Sequence, residues 1–361
     1  MGKYYTEKIE KDTRYRKEYG KSIADFLEQE KEKATKRRFA FFTPERCKVE
    51  QEKYRQQFAE MLGFPLSLER VTPNLLEKQF VAQDGNIKIY RMQFLFWDTV
   101  KVYAMYFEQL NADRDTPFVV GLHGGEGTPE LVSSIHLDSA NYNHLVRRIT
   151  DMGANVLVPQ LLLWSKNNYG GEYDRIYTDG KLRQLGGSIT ALELYFLRGL
   201  IDCFLENERV NHDKIGVCGM SYGGMYALHL AAIDTRIKAC YSCSWVCDGF
   251  VNSWADWSYK NAQNTFAVAE TAGLVAPRAL VVAMGDKDEL FDSRLTEKEC
   301  ARIEKIYGVF DAKENFLSRI FDGVHEFDKG NTEFEFFFNK LRCNNEDFAK
   351  TCGKTKRCFF G

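Results

Sequence analysis

The feature that most constrains the fold is a sharp turn, near the middle of the chain, between an apolar segment and a helix-forming segment. Residues 215–218 are mostly apolar, Gly219-Met220-Ser221-Tyr222-Gly223 follows, and residues 224–233 are rich in Ala and Leu. This is the G-x-S-x-G pattern in the strand–turn–helix context that its chemistry requires. Side chains at the two outer positions would collide with neighbouring elements, which explains the glycines there. We therefore predict that Ser221 is a catalytic nucleophile, the alternative being a serine that only caps the helix.

The segments around this turn indicate the fold class. Short apolar segments alternate with longer helical patterns from Pro117 onward. Such alternation is typical of a mostly parallel sheet with helices on both faces, so we predict an α/β fold. The predicted strands are 79–82, 87–95, 100–109, 118–122, 155–159, 215–219, 237–242, 279–284 and 317–321, and the predicted helices are 142–152, 188–207, 222–233 and 297–307.

The first part of the chain has a different composition from the rest. It is rich in Glu, Lys, Arg and Gln and predicts two polar helices, at 22–39 and 45–62. We therefore expect an N-terminal helical extension over residues 1–65, a catalytic domain over 66–345 and a C-terminal tail over 346–361.

A serine nucleophile needs a base, and the base needs an acid that orients it. Proteins with this type of turn carry the three residues in the order Ser, acid, His. Of the six histidines, only His325 follows Ser221 outside the turn's own helix, because His229 lies within that helix. We therefore predict that His325 is the base and that His123 has a structural role.

The orienting acid is expected in the loop after the strand at 279–284. This loop, residues 285–292, contains three aspartates, Asp286, Asp288 and Asp292. We choose Asp288, which lies three residues after the turn glycine and precedes an apolar pair that can anchor it. Asp286 stays open as the alternative.

Backbone donors must stabilise the oxyanion of the tetrahedral intermediate. One expected donor is the N–H of Tyr222, directly after the nucleophile. The other is expected in the loop His123-Gly124-Gly125-Glu126-Gly127, because glycines let a backbone approach the substrate closely. We choose Gly125, and Gly124 and Glu126 stay open.

Tryptophans mark a possible substrate side. Four of them fall in loops at the carboxyl ends of predicted strands, where open α/β sheets bind ligands. Aromatic faces there could stack on sugar rings, and we choose Trp164 and Trp257 as substrate-binding residues, with Asp174, Arg175 and Asp256 as polar neighbours. The alternative is that these rings fill a lid or a dimer contact. The tryptophans concerned are Trp164, Trp245, Trp254 and Trp257.

Other short patterns do not indicate a metal or cofactor. Cys240 and Cys243 match C-x-x-C but lie on a predicted strand without a second pair, so buried small apolar cysteines are expected. His325-Glu326 lacks the second histidine of a zinc protease, and Gly180-Lys181 lacks the rest of a phosphate-binding loop. We predict no metal and no cofactor.

Taken together, these motifs resemble the α/β-hydrolase superfamily, and within it the dienelactone-hydrolase-related and acetyl-xylan-esterase-like group. The resemblance covers about residues 45–340 and implies an α/β-hydrolase fold and serine esterase activity. Dienelactone hydrolases proper use a cysteine nucleophile, whereas position 221 is serine here, which favours an ordinary ester hydrolase. The segments that carry the resemblance to the α/β-hydrolase superfamily are His123–Gly125, Gly219–Gly224, Leu274–Leu280, Gly285–Asp288, Gly323–Phe327 and, before the core, Tyr54–Pro65.

The predicted function is that of a serine hydrolase that cleaves carboxylic esters through an acyl-enzyme, with a short acyl group such as acetyl on a carbohydrate. The expected partner is therefore a small-molecule ester. One alternative is a prolyl-oligopeptidase-like peptidase, but the chain leaves no room for the large extra domain of such enzymes. The other is a non-catalytic binding protein on a hydrolase scaffold, against which a complete set of catalytic residues argues.

Composition sets the remaining expectations. The formal net charge of -2 is not that of a nucleic-acid-binding protein, and no segment approaches 18 uninterrupted apolar residues, so neither nucleic acid nor membrane is expected as a partner. The charged N-terminus without an apolar core and the ten cysteines favour a reducing, cytoplasmic location. The oligomeric state stays open.

Overall fold

A single sheet of nine strands runs through the part of the chain that the structure describes. The computed structural model describes residues 4–135, 139–163, 173–206 and 210–342. The order across the sheet is β1-β2-β3-β5-β4-β6-β7-β8-β9. The strands are β1 Asn74–Asp84, β2 Ile87–Phe96, β3 Val100–Gln109, β4 Phe118–Leu122, β5 Asn155–Pro159, β6 Ile215–Met220, β7 Ile237–Cys243, β8 Ala279–Gly285 and β9 Phe316–Phe321.

The sheet is antiparallel at one edge and parallel elsewhere. β1, β2, β3 and β5 pair antiparallel in that order, and every pair from β5 across to β9 is parallel. All residues of β4, β5, β6 and β8 are buried, as expected when helices cover both faces. The predicted α/β fold with a mostly parallel sheet is confirmed.

Helices pack on both faces of the sheet. Within the described residues, the α-helices are α1 Glu10–Phe41, α2 Pro44–Leu62, α3 Pro129–Val132, α4 Leu145–Asp151, α5 Arg175–Gln184, α6 Ile189–Leu205, α7 Tyr222–Ile233, α8 Val268–Gly273, α9 Ser293–Val309 and α10 Thr332–Arg342. One apolar core joins the sheet to α2, α6, α7, α8 and α9, and a second core on the opposite face includes α4 and α10. Every residue of α7 is buried, so the helix that follows the Ser221 turn is held rigidly at the centre of the molecule.

The order in which the chain adds strands to the sheet reverses at one point. β4 lies between β5 and β6, so the chain direction across the sheet reverses there. Ligands of open α/β sheets bind outside the carboxyl ends of the strands at such a reversal. The loop after β4 and the turn after β6 are therefore neighbours at the expected place for a site.

The N-terminal extension consists of two helices, of which the first is longer than predicted. α1 begins at Glu10 rather than at residue 22. Its first residues are mostly exposed, so no pattern of buried residues marks the start of the helix. Its C-terminal end docks on the body through the buried pair Arg38 and Glu270, 3.3 Å apart, and α2 buries Phe58 and Leu62 in the core. The division at residue 65 stays a prediction, and the predicted tail lies outside the described residues.

Four of the described helices were not predicted, namely α3, α5, α8 and α10. α5 lies in a segment rich in polar residues, and α10 was missed although its buried Phe334, Phe337, Phe338 and Leu341 follow helical spacing. Among the described helices, none combines the length and the apolar character needed to cross a lipid bilayer.

Candidate active site

The turn after β6 holds Ser221 in a strained conformation. Ser221 has φ 56° and ψ -123°, outside the usual range for a residue with a side chain. A Cβ atom at Gly223 would lie 2.2 Å from the carbonyl oxygen of Leu122, and one at Gly219 would lie 2.3 Å from that of Gly223. Both glycines are therefore required for the turn, and Ser221 follows β6 directly, at the N-terminus of α7.

Asp288 and His325 form a hydrogen-bonded pair. The Nδ1 atom of His325 lies 2.8 Å from Oδ2 of Asp288, and the side chain of Asp288 is fully buried. The other carboxylate oxygen of Asp288 accepts hydrogen bonds from the backbone N–H groups of Leu290 and Phe291, at 2.9 and 3.0 Å. The carboxylate is thus fixed in place and turned toward the imidazole, as an orienting acid must be.

Asp286, the alternative acid, makes different contacts. Its side chain is exposed and accepts a hydrogen bond from the backbone N–H of Gly323 at 3.0 Å. It therefore joins the loop after β8 to the loop that carries His325, without contacting the imidazole. Asp292, the third candidate, caps α9 by accepting from Arg294 N at 2.9 Å.

The end of β7 connects the turn at Ser221 to the loop that carries His325. The N–H of Ser221 donates to the carbonyl oxygen of Cys243 at 2.9 Å. The hydroxyl of the next residue, Ser244, donates to the carbonyl oxygen of Glu326 at 2.8 Å. Neighbouring residues of one strand end thus bind the backbone at Ser221 and the backbone next to His325, which brings the two loops together.

The loop after β4 passes alongside Ser221. A Cβ atom at Gly124 would lie 3.0 Å from Cβ of Ser221, while the N–H of Gly124 itself donates to the hydroxyl of Tyr142 at 2.9 Å. The N–H of Gly124 therefore already has an acceptor, which leaves the N–H groups of Gly125 and Glu126 as the candidate oxyanion donors of this loop. Tyr222 is the first residue of α7, where backbone N–H groups point out of the helix end.

His123 is fully buried beneath this loop. Its Nε2 accepts from the N–H of Leu161 at 2.9 Å, so Nδ1 carries the proton and donates to the carbonyl oxygen of Gly124 at 2.9 Å. Burial lowers the pKa of His123 to about 4. A neutral imidazole that joins the loops after β4 and β5 agrees with the structural role expected for it.

A buried charge cluster binds the side chain of Tyr222. The sequence did not predict this cluster. Nε of Arg175 donates to Oδ2 of Asp256 at 2.6 Å, and Nη1 lies 3.0 Å from Oε2 of Glu193. The hydroxyl of Tyr222 donates to the same oxygen of Asp256 at 2.8 Å, and the hydroxyl of Tyr226 lies 2.9 Å from Nη2 of Arg175. Tyr222, the residue after Ser221, is thus held in a cluster with Arg175, Glu193, Asp256 and Tyr226.

The cluster corrects one expectation. Arg175 and Asp256 are almost fully buried and bonded to each other, so they are not open to the hydroxyl groups of a sugar. Asp174 caps α5 by accepting from the N–H of Tyr177 at 2.9 Å. One signal could have revealed the cluster, namely the carboxylate of Glu193 among the otherwise uncharged residues at 189–197 in α6.

The tryptophans divide between two layers. Trp257 is 9% exposed, packs on Tyr222 with ring centroids 5.0 Å apart, and donates through Nε1 to the carbonyl oxygen of Asn252 at 2.7 Å. Trp254 stacks on Trp257 at 4.6 Å and is 37% exposed. Trp254, which we did not choose from the sequence, is therefore the ring that meets solvent, and Trp257 lies behind it. Trp164 lies outside the described residues.

Comparison with known proteins identifies the fold. No protein-family model and no curated protein matches the chain, but many solved structures do. At the sequence identities found, below 20%, the likeness is one of fold. The strand order, the turn at Ser221 and these structures together show that the chain has the α/β-hydrolase fold.

The similar structures include esterases. A candidate acetyl xylan esterase from Bacteroides fragilis NCTC 9343 is 14% identical, with 87% of this chain and 89% of that chain covered and a TM-score of 0.64. A glucuronoyl esterase from Solibacter usitatus is 13% identical, with 80% and 92% covered and a TM-score of 0.60. A promiscuous CE15 esterase from a marine bacterial metagenome is 14% identical, with 80% and 90% covered and a TM-score of 0.57.

Proposed function

We propose that the chain is a serine hydrolase that cleaves carboxylic esters through an acyl-enzyme. The observation that carries the proposal is the combination, at one edge of the sheet, of a strained serine at the head of α7 with a buried Asp288–His325 pair. This chemistry needs a strained nucleophile, an imidazole base in a fixed orientation and a carboxylate that holds this base in place.

In the first half of the reaction, the hydroxyl oxygen of Ser221 attacks the ester carbonyl while Nε2 of His325 takes the hydroxyl proton. Asp288 holds the Nδ1–H side and stabilises the imidazolium that forms. The N–H groups of Tyr222 and Gly125 stabilise the oxyanion. The tetrahedral intermediate then collapses, the proton on Nε2 passes to the leaving alcohol, and the acyl group stays on Ser221.

In the second half, water attacks the acyl-enzyme. Nε2 of His325 takes a proton from the water, the same two N–H groups stabilise the second oxyanion, and the proton returns to the oxygen of Ser221 as the carboxylic acid leaves. The chain's own residues supply every proton transfer in this scheme.

For the substrate we propose a short acyl group, such as acetyl, on a carbohydrate. The support is the ring series that begins at Tyr222 and continues through Trp257 to Trp254, whose exposed face can stack on the C–H face of a sugar ring. Trp257 contributes as the support of Trp254.

A panel of esters tests both levels of the proposal. The intact chain and its Ser221→Ala variant are assayed with 4-nitrophenyl acetate, 4-nitrophenyl octanoate, an acetylated xylose, a methyl ester of glucuronic acid and a proline-containing peptide. We expect hydrolysis of the acetyl esters at the highest kcat/KM and a loss of about 10⁵-fold or more in the variant. Hydrolysis that survives in Ser221→Ala would contradict the proposed nucleophile.

The panel also separates the alternatives. Faster cleavage of octanoate than of acetate would overturn the short-acyl proposal while leaving the serine hydrolase intact. Cleavage of the peptide alone would favour a peptidase. Absence of hydrolysis of every ester, with normal folding by circular dichroism, would favour a non-catalytic binding protein.

A further inference from the structure

A second concave site lies behind the tryptophans, between α2, α8 and the connection that follows β7. Its volume is about 300 Å³, within the lower range for small-molecule sites. Aromatic rings and a thioether form much of its wall, namely Phe58, Met61, His229, Trp245, Trp257 and Phe266. We call it the aromatic cavity.

The walls of the aromatic cavity carry no formal charge. Among the described residues that line it, none is Asp, Glu, Lys or Arg. His229 is the one titratable imidazole among these residues, and burial lowers its pKa to about 4, so it is neutral at pH 7. An ionised ligand would lose its hydration here without gaining an ion pair, so the cavity selects against charged molecules.

Two buried polar atoms of the aromatic cavity have no hydrogen-bond partner within the described chain. They are Nε1 of Trp245, a donor, and Oδ1 of Asn252, an acceptor. Leaving such groups without a partner costs about 1–3 kcal/mol each, which a bound molecule or water can recover. A hydroxyl group both accepts and donates, so it can serve as the partner of such an atom.

Helix α1 connects two rims of the aromatic cavity. Nζ of Lys31 forms an ion pair with Asp248 at 3.0 Å and lies 5.0 Å from the ring centroid of Phe250, a lining residue. Nη1 of Arg38 donates to the backbone carbonyl and to the side chain of Gln263, another lining residue, at 2.8 and 2.9 Å. The N-terminal extension thereby contacts two of the residues that line the cavity.

We propose that the aromatic cavity is a binding site for a small uncharged alcohol with an aromatic or alicyclic body. The rings bind the body, and the hydroxyl accepts from Nε1 of Trp245. Neither Ser221 nor His325 lines the cavity, whose lining residue Trp257 packs on Tyr222. The proposal does not depend on the proposed hydrolase activity.

Binding of 2-naphthol to the intact chain carrying Ser221→Ala tests the proposal by isothermal titration calorimetry. This background excludes turnover, so the result is independent of whether the chain hydrolyses esters. We expect one molecule bound per chain and no detectable binding of 2-naphthoate, which has the same rings with a charge. Equal affinity for 2-naphthoate, or no binding of either probe, would overturn the proposal.

Two variants and a matched control locate the site. Trp245→Phe keeps a ring but removes the donor and should weaken 2-naphthol binding about fivefold, the equivalent of one neutral hydrogen bond. Val268→Phe fills the cavity and should abolish binding. Trp97→Phe, at a ring that packs on Tyr195 and Phe196, should change nothing. Thermal unfolding checks that each variant folds, and equal affinities in Trp245→Phe and Trp97→Phe would show that the probe binds elsewhere.

Discussion

The proposed catalytic pair, Asp288 and His325, and the buried charge cluster around Tyr222 are built by the chain in different ways. Asp288 and His325 lie in loops that directly follow β8 and β9. Arg175, Glu193 and Asp256 come from α5, α6 and the long connection after β7, and no short pattern relates them. The position of the proposed catalytic pair is thus set by strand ends, whereas the cluster that holds Tyr222 depends on contacts between distant segments.

The sharpest test of the catalytic side compares two aspartates in one loop. Asp288→Asn should lower kcat by about 10⁴-fold, because an amide no longer fixes the tautomer of His325 or stabilises its imidazolium. Asp286→Asn should lower it less than about threefold, because an amide oxygen can still accept from the N–H of Gly323. Steady-state kinetics on a 4-nitrophenyl ester measures both, and the reverse order would assign the role to Asp286.

A second test uses two buried histidines, His123 beneath the loop after β4 and His229 in the wall of the aromatic cavity. The folded pKa of His123 and of His229 is lowered to about 4, against about 6.5 in the unfolded chain. The unfolded state therefore binds more protons between these values, and stability falls as pH drops below about 6.5. From pH 7.5 to pH 5 the free energy of unfolding should fall by about 2 kcal/mol for each histidine.

The His229→Phe variant separates the two contributions. Phenylalanine keeps a ring against Phe58 and Trp245 but cannot take up a proton. Urea unfolding at the two pH values should show about 2 kcal/mol less pH dependence than in the unchanged chain. The same pH dependence in both proteins would show that His229 does not titrate as described.

The charge cluster is tested by Arg175→Lys, which keeps the charge and loses the planar fork. We expect the free energy of unfolding to fall by about 1.5 kcal/mol and kcat to fall about tenfold, because Tyr222 is held less firmly. The exposed Arg294→Lys, which changes a surface pair with Asp292, is the matched control and should change neither. A loss of stability with kcat unchanged would limit the cluster to a structural role.

The smallest expected effect concerns the substrate side. Trp254→Ala should raise KM for acetylated xylose about three- to tenfold with little change in kcat, whereas Trp254→Phe should keep most of the affinity. KM for 4-nitrophenyl acetate, which has no sugar, serves as the control. Equal changes in KM for both esters would show that Trp254 does not bind the sugar.

The contrast between the two regions also explains what the sequence could predict. The G-x-S-x-G turn and the strand ends predicted the sheet and the loops that carry Ser221, Asp288 and His325, since each signal lies within a few residues. The pairing of Arg175 with Asp256 joins residues far apart in the chain, and its charged residues looked like a solvent-exposed rim. For the same reason Trp257 could be placed near the site, but its position behind Trp254 could not be predicted.

The N-terminal extension also shows that local features can be predicted from the sequence, whereas contacts between distant residues cannot. Its helices were predicted because residue composition and spacing act locally, although the start of α1 was placed at residue 22 instead of Glu10. The contacts of Lys31 and Arg38 with the connection after β7 carry no local signal. The aromatic cavity that these contacts enclose is therefore visible only in the folded chain.

The central claim is that Ser221, Asp288 and His325 act as one catalytic unit, and site-mapped labelling with a fluorophosphonate tests it most directly. The intact chain and its His325→Ala variant are incubated with the probe, and the adduct is quantified and located by peptide mass spectrometry. The account predicts one adduct per chain, on Ser221, and its loss in His325→Ala. No adduct on the folded chain, an adduct on another residue, or equal labelling of the variant would contradict it.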